Sequence, residues 1–349
     1  MDSDTGIRQA LGDKYEILSV IGRGGMATVY KAIQNSLNRP VALKVIHSNL
    51  VHDKEFIDRF LREAQVCGQL NHPSIVTVYD FGSAGSVHYM SMEYLEGVTL
   101  RERVKSSGTL DESETIRYIT PIAQALAYIH QKGFVHRDVK SSNIFITREG
   151  RPVLMDFGIV YSKGIESLSQ YGSLLGTPEY MSPEQAEGKL KVDGRSDLYS
   201  LGVIMFECLT GRLPFKSDNH LATLHQILHQ NPPEIKSINP LVPKWLSNTV
   251  AGCLVKDRSL RISDGSILAD DLRNKIFSGS LRNSNIINTE EQVTRLVETR
   301  SISSENLWRR KKIENQSYNS IKNNRRLLVA VFITLFVILA MLFIQVIRP

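Results

Sequence analysis

Cysteine is scarce in this chain of 349 residues, and the three cysteines, Cys67, Cys208 and Cys253, lie far apart. They form neither a CxxC pair nor a Cys/His cluster, so the sequence predicts no disulfide scaffold and no zinc site. Each is surrounded by an apolar helical pattern, which favours a buried structural thiol. The N-terminus is polar and lacks the apolar core of a signal peptide. These absences favour a protein of a reducing compartment.

An excess of charge is missing from residues 1–277, which carry 31 Lys and Arg against 31 Asp and Glu. The net charge of +6 comes from the C-terminal part, because residues 278–326 hold 10 basic and 5 acidic residues and Arg348 adds one more. A nucleic-acid-binding domain needs a basic surface. We therefore predict no nucleic-acid partner.

A glycine run, Gly22-Arg23-Gly24-Gly25-Met26, follows the predicted strand over residues 15–21. A dinucleotide-binding turn requires a helix directly after its glycines, whereas residues 28–32 are β-branched and aromatic and predict a second strand. Two interpretations stay open from this run alone. It is an ordinary glycine-rich hairpin, or a flap whose backbone N–H groups cover the phosphates of a nucleotide.

Lys44 lies in the next apolar strand, over residues 41–46, and needs a buried partner. Glu63 supplies one, because it falls among the apolar positions of an amphipathic helix predicted over residues 53–70. Further strands over 75–81 and 87–94 complete a small sheet with one helix. Residues 95–97 then predict a hinge, and residues 92–95 are expected to line an adenine pocket.

The polar loop 136–143 separates a buried helix from a buried strand, and its side chains suit phosphoryl transfer. Asp138 is placed to take a hydroxyl proton, Lys140 to face the phosphate, and Asn143 to hold a metal ion. Asp156 follows a short strand 18 residues after Asp138 and adds a second carboxylate. By itself, such a loop is also compatible with a solvated turn.

Together these motifs resemble the eukaryotic-type (Hanks-type) Ser/Thr protein kinases over residues 15–277, most closely the catalytic domains of bacterial PASTA-type kinases. The resemblance rests on ordered matches, which are Gly22-x-Gly24, Val41-Ala42-Leu43-Lys44, Glu63, His136-Arg137-Asp138, Asn143, Asp156-Phe157-Gly158, Ser182-Pro183-Glu184, Asp197 and Arg261. It implies an α+β, two-lobed fold, with a small β-rich N-lobe (15–95) that has one helix and a larger helical C-lobe (96–277). Residues 1–14 form an N-terminal extension.

The resemblance also assigns residues to roles. It implies that Asp138, Lys140, Lys44 and Glu63 are catalytic and that Asn143 and Asp156 bind Mg²⁺, with Mn²⁺ as the other candidate. The implied ATP-binding set is Ile21, Gly22, Arg23, Gly24, Gly25, Met26, Ala27, Val29, Ala42, Lys44, Met92, Glu93, Tyr94, Leu95 and Phe145. Thr177 is implied in substrate docking, and Glu184, Asp197, Arg261 and Arg137 in structural support.

Lys140 and Thr177 resemble the Ser/Thr-specific arrangement, so the expected substrates are proteins modified on Ser or Thr. Arg137 resembles the arginine of kinases that are activated by phosphorylation of the activation loop. The candidate phosphate acceptors in that loop are Ser169 first, then Ser173 and Ser167. A homodimer is the family expectation for autophosphorylation between copies. Three positions depart from the family pattern without loss of a chemical group: Ala27 replaces a glycine, Ser141 a common proline and Ser182 a common alanine.

Residues 327–347 are 21 successive residues without a charge, which as a helix span about 31 Å and match a bilayer core. They follow the basic, proline-free, Asn/Ser-rich segment 278–326, so we expect a juxtamembrane linker and a single C-terminal transmembrane helix. Lys322, Arg325 and Arg326 precede the apolar segment, which places the kinase domain in the cytoplasm. Only residues 348–349 remain for an external tail, so no extracellular domain is expected. For residues 308–312 two alternatives stay equally open, which are contact with anionic lipid headgroups and a plain solvated linker.

Two function classes fit these motifs. The first is a membrane-tethered protein kinase that uses ATP in signalling. The second is an inactive scaffold that binds nucleotide and recruits partners to the membrane. The second is disfavoured because Lys44, Asp138, Asn143 and Asp156 are all present.

Overall fold

The computed structural model describes residues 3–51, 53–156, 178–189 and 192–279. Contacts divide the chain into two units, Met1–Gly279 and Ser280–Pro349, and all the described residues belong to the first. Within the described ranges, none of the helices combines the length and the apolar character that a bilayer span requires. The predicted linker beyond residue 279 and the predicted helix over 327–347 lie outside the described residues.

The N-terminal half of this unit is a five-stranded antiparallel sheet. Its strands are β1 (Tyr15–Arg23), β2 (Ala27–Gln34), β3 (Arg39–Ile46), β4 (Val78–Ala84) and β5 (Val87–Glu93), in the order β1-β2-β3-β5-β4. The fourth strand begins three residues later than predicted. Ile75 instead forms a parallel bridge with Leu154 in the other half of the unit, which keeps it out of this sheet.

Two helices accompany the sheet, α1 (Ser3–Leu11) and α2 (Lys54–Gly68). Helix α2 begins where the Asp53 side chain accepts a hydrogen bond from the backbone N of Phe56. Its buried stripe includes Phe56 and Phe60 and packs on the sheet. Helix α1 was not predicted from the sequence. It is held because Leu11 is buried in the cluster that contains Tyr15 and Tyr30.

The C-terminal half is helical. Its helices are α3 (Leu100–Ser107), α4 (Glu112–Gln131), α5 (Pro183–Ala186), α6 (Gly194–Thr210), α7 (His220–His229), α8 (Ile235–Ile238), α9 (Lys244–Cys253) and α10 (Gly265–Asn274). Helix α4 runs through Pro121 and ends at Gln131, shortly before Gly133. Helix α6 is buried over nearly its whole length and forms the centre of this core. The two halves together are the expected small β-rich lobe and larger helical lobe.

A short three-stranded sheet, β6 (Gly97–Thr99), β7 (Ile144–Thr147) and β8 (Pro152–Leu154), carries the functional loops. Strand β7 begins directly after a 3-10 turn, Ser141–Asn143, and β8 ends two residues before Asp156. Pairing of β7 with β8 therefore brings the polar loop 136–143 and Asp156 to the same end of the sheet.

Candidate active site

The polar loop is anchored to helix α6 by one buried carboxylate. Asp197 accepts hydrogen bonds from the backbone N of His136 at 2.9 Å and of Arg137 at 2.8 Å. Its Oδ2 also lies 2.8 Å from His130 Nε2 on helix α4. Because Asp197 is 1% exposed, these contacts offset the cost of burying its charge. They fix the backbone just before Asp138.

His136 ties this loop to the segment that ends in Asp156. Burial lowers the pKa of His136, so its ring is neutral at physiological pH. Its Nδ1 accepts a bond from the backbone N of Asp138 at 3.3 Å, which leaves the proton on Nε2 to be donated to the carbonyl of Met155 at 3.1 Å. The imidazole therefore sets the spacing between the two carboxylate-bearing segments.

The Asp138 carboxylate is held by two neighbours of the same loop. Lys140 Nζ lies 2.7 Å from its Oδ2, and Asn143 Nδ2 donates to the same oxygen at 3.0 Å. The side chain of Asp138 is still 23% exposed. A polar group from solvent can therefore reach this carboxylate, while its orientation is fixed by the lysine and the amide.

Lys44 meets two carboxylates from different elements. Its Nζ lies 2.7 Å from Asp156 Oδ1 and 3.8 Å from Glu63 Oε1 on helix α2. Burial by itself lowers the pKa of Lys44, but the two carboxylates outweigh burial and raise it above its usual value. Lys44 in turn is the main cause of the lowered pKa of Asp156. Lys44 is thus a fixed cation between the two lobes.

Glu63 is the most buried member of this group, at 4% exposure. Burial raises its pKa to about 7, and Lys44 offsets part of that rise. The structure therefore brings together the lysine and the carboxylate that the sequence paired.

Two residues of the site have a left-handed backbone that is costly for any residue except glycine. Arg137 has a φ of 68° and Asp156 a φ of 49°. Such conformations persist where the surrounding contacts determine them, and they concentrate at functional sites. At Arg137 the contacts are the backbone bond to Asp197 and a bond in which Gln185 Nε2 donates to the Arg137 carbonyl at 2.9 Å.

Asn143 and Asp156 offer oxygen ligands of the kind that Mg²⁺ prefers. The Asn143 amide nitrogen donates to Asp138, so the amide oxygen is left for a cation. Asp156 is 46% exposed, and the same amide nitrogen lies 3.5 Å from its backbone carbonyl. One carboxylate and one amide oxygen suit an ion that takes its remaining ligands from phosphates and water. The residues present therefore fit Mg²⁺, and Mn²⁺ shares this preference for oxygen.

An apolar cluster is built on the same strand as Lys44. Ala42 on β3 pairs with Met92 on β5, and both are buried in one cluster. Partly buried side chains packed against that cluster include four more of the predicted ATP-binding residues, Met26, Val29, Tyr94 and Leu95. These side chains have the apolar character that a nucleotide base requires of its site.

The predicted glycine flap is the turn between β1 and β2. Ile21, Gly22 and Arg23 end β1, while Gly24, Gly25 and Met26 form the turn. The Gly24 backbone N donates to the carbonyl of Ala27 at 2.9 Å, which closes the turn. Ala27 is buried in β2, so its methyl group is accommodated within the sheet.

Two further predicted ATP-binding residues, Glu93 and Phe145, have defined partners in the structure. Glu93 directs its carboxylate to Arg151 Nη2 at 2.6 Å, and its backbone N donates to the carbonyl of Thr77. The Glu93 side chain therefore forms an ion pair that connects the two lobes. Phe145 lies on β7, where it pairs with Val153 of β8.

A buried ion pair supports the C-terminal half next to the site. Arg261 donates to both carboxylate oxygens of Glu184, at 2.8 and 3.1 Å, and the Arg261 side chain is 0% exposed. Ser196 on helix α6 also donates to Glu184.

Ser167, Ser169, Ser173 and Thr177 lie outside the described residues. Within the described part of the chain, the Arg137 guanidinium shows no ion pair.

Sequence reasoning did not find the anchoring role of Asp197, the contacts of His136, or the links made by Gln185 and Arg151. The long-range partners in these contacts are separated by 19 to 67 residues. Of these residues, Asp197 alone has a signal that a single sequence can show. A charged residue within an apolar helix is unusual and indicates a buried partner.

Comparisons with known proteins agree with this geometry. The protein kinase domain model matches residues 15–274. The serine/threonine-protein kinase PrkC of Bacillus subtilis is 37% identical over 292 residues, which are 83% of this chain and 45% of PrkC. The serine/threonine-protein kinase PknB of Mycolicibacterium smegmatis is 40% identical over 270 residues, 76% of this chain and 43% of PknB.

Among solved structures, the kinase domain of Mycobacterium tuberculosis PknI superimposes with a TM-score of 0.61 at 27% identity. The match covers 75% of this chain and 96% of that domain. The chain spans less than half the length of the curated relatives given above. The family model covers most of the chain and the fold is shared with solved kinase domains. The chain therefore belongs to the protein kinase family.

Proposed function

We propose that this protein is an ATP-dependent serine/threonine protein kinase that acts at a membrane surface. The observation that carries the catalytic part is the convergence of two groups in one site. Lys44, Glu63 and Asp156 form the group on the side of the sheet, and Asp138, Lys140 and Asn143 form the group on the loop. The bacterial relatives are Ser/Thr kinases by name, which supports the same specificity here.

The side chains divide the work of phosphoryl transfer between them. Lys44 neutralises and orients phosphate oxygens, and Glu63 keeps the Lys44 side chain in place. Asn143 and Asp156 hold Mg²⁺, which supplies further charge neutralisation at the phosphates when bound. Asp138 orients the acceptor hydroxyl and accepts its proton, because its carboxylate is fixed by Lys140 and open to solvent.

Autophosphorylation of the activation loop is the regulatory part of the proposal. Ser169, Ser173 and Ser167 are the candidate acceptors. Arg137 supports the idea, because its backbone is fixed next to Asp138 while its guanidinium forms no ion pair among the described residues. A phosphate paired with this cation would order the loop beside the catalytic carboxylate. A homodimer would bring two such loops and sites together.

The membrane part rests on the sequence of residues 327–347, which is apolar, uncharged and preceded by basic residues. In this arrangement a single C-terminal helix tethers a cytoplasmic kinase domain. Separation of the full chain into the membrane fraction, and its loss when residues 327–347 are deleted, tests this part. Recovery of the full chain in the soluble fraction would refute it.

Transfer of the γ-phosphate from labelled ATP to the chain and to a Ser/Thr protein substrate tests the catalytic part. Asp138→Asn should abolish incorporation while ATP binding is kept, because Asp138 is not assigned to the phosphates. Asp270→Asn, on an exposed face of helix α10, is the matched control and should keep full incorporation. Equal incorporation in wild type and Asp138→Asn would refute the role of Asp138. ATP binding without transfer by wild type would favour the scaffold instead.

A further inference from the structure

Ser141 is a buried hydroxyl in the middle of the catalytic loop. It follows Lys140 directly and begins the 3-10 turn that contains Asn143. Ser141 is 0% exposed, so its hydroxyl needs a protein partner. Proline, which is common at this position in the family that the sequence resembles, has no hydroxyl. This chain can therefore form a side-chain hydrogen bond at this position that relatives with proline cannot form.

The partner is Tyr180, whose hydroxyl oxygen lies 2.8 Å from Ser141 Oγ. Tyr180 is itself buried, and its hydroxyl donates to Glu207 Oε2 on helix α6 at 2.7 Å. A phenol has a single proton to donate. Because that proton goes to Glu207, Ser141 must be the donor to Tyr180. The three side chains thus form a directed chain, from Ser141 through Tyr180 to Glu207.

Tyr180 belongs to the segment 178–182, which lies between the predicted activation loop and helix α5. Its backbone carbonyl accepts a bond from Ser200 Oγ on helix α6 at 2.7 Å. Ser182, two residues later, caps helix α5. Tyr180 is therefore held to α6 through both its backbone and its side chain, and the Ser141 bond connects this fixed segment to the catalytic loop.

We propose that Ser141 is a positioning residue, which holds segment 178–182 against the catalytic loop so that a protein acceptor is presented correctly to Asp138. This inference rests on the proposed kinase function. The phosphates are assigned to Lys44, and the metal ion to Asn143 and Asp156. The Ser141 hydroxyl instead contacts Tyr180, which bonds to Glu207. Loss of the Ser141 bond should thus affect the protein substrate and leave ATP binding unchanged.

Steady-state kinetics of the full chain with a Ser/Thr substrate protein test this inference. Ser141→Ala should raise the KM for the protein substrate about two- to tenfold, the range expected when one hydrogen bond is lost. The KM for ATP should stay within about twofold of wild type. Ser142→Ala is the matched control, because Ser142 lies in the same 3-10 turn and its side chain makes no hydrogen bond among the described residues. It should leave both KM values unchanged.

A double-mutant cycle separates positioning from a general loss of stability. Tyr180→Phe should raise the KM for the protein substrate, and adding Ser141→Ala to it should cause no further rise, because the partner is already gone. Additive effects, an unchanged KM for the protein substrate, or equal changes in both KM values would overturn the inference. Absence of transfer by wild type would instead refute the proposed function, and the positioning role with it.

Discussion

Removing the charge of Arg261 should destabilise the fold more than any exposed substitution. Its guanidinium donates to both oxygens of Glu184 and to the backbone carbonyls of Val255 and Arg195, at 3.0 and 2.8 Å. Arg261→Met keeps much of the apolar stem but leaves the Glu184 carboxylate buried, with Ser196 as its remaining side-chain donor. Breaking a buried pair in this way costs about 3–5 kcal/mol.

Thermal unfolding of the purified full chain measures this cost. In a domain of this size, 1 kcal/mol corresponds to a shift in Tm of about 2–4 °C, so Arg261→Met should lower Tm by roughly 6–20 °C. Arg273→Met is the matched control, because Arg273 pairs with Asp270 on the surface, where both side chains are more than half exposed. Its cost should not exceed about 1 kcal/mol.

The double variant Glu184→Leu/Arg261→Met tests whether the uncompensated charge is the cause. It removes both charges, so it should be more stable than Arg261→Met alone, although the carbonyls of Val255 and Arg195 still lose their donor. If the double variant is instead less stable by the sum of the two single effects, the ion pair does not act as argued. A loss below about 1 kcal/mol for Arg261→Met would refute the reasoning as well.

Three further predictions concern other elements. Burial raises the pKa of Glu63 to about 7, above the ordinary value of 4.5, so the folded chain keeps a proton that the unfolded chain has lost in this window. The free energy of unfolding should therefore fall as the pH rises from about 4.5 to about 7, and urea titrations of Glu63→Gln should show a smaller fall than wild type. Asp111→Ala removes the side chain that accepts from the backbone N of Glu114 at 2.8 Å, and denaturant unfolding should show a loss of about 1 kcal/mol. In Gly97→Ala the new Cβ would lie 2.0 Å from the Ile146 carbonyl oxygen, so Tm should fall, and an unchanged Tm would contradict the pairing of β6 with β7.

The sequence was most informative where one element carries its own signal. The apolar stripe with Glu63 predicted helix α2, and its start at Asp53 needs only a local cap. The β-branched residues after the glycine run predicted β2 instead of a helix. The ordered motifs predicted the kinase family, which the family model and the solved structures confirm. The domain boundaries, the phosphate acceptors and the membrane helix stay predictions.

Tertiary structure decided the features that depend on distant partners. The start of β4 moved because Ile75 bridges to Leu154, and α1 forms because Leu11 finds a buried site on the sheet. Neither partner can be read from local pattern.

In the catalytic loop, the sequence determined the residue types and the tertiary structure determined their geometry. Residue types alone identified Asp138, Lys140 and Asn143 as candidates, because carboxylate, ammonium and amide groups are what phosphoryl transfer needs. Their geometry comes from elsewhere in the chain. Asp197 fixes the backbone of the loop, and Tyr180 fixes Ser141, across 61 and 39 residues of sequence. A hydrogen bond specifies distance and direction in space, so its partner becomes known only when the chain is folded.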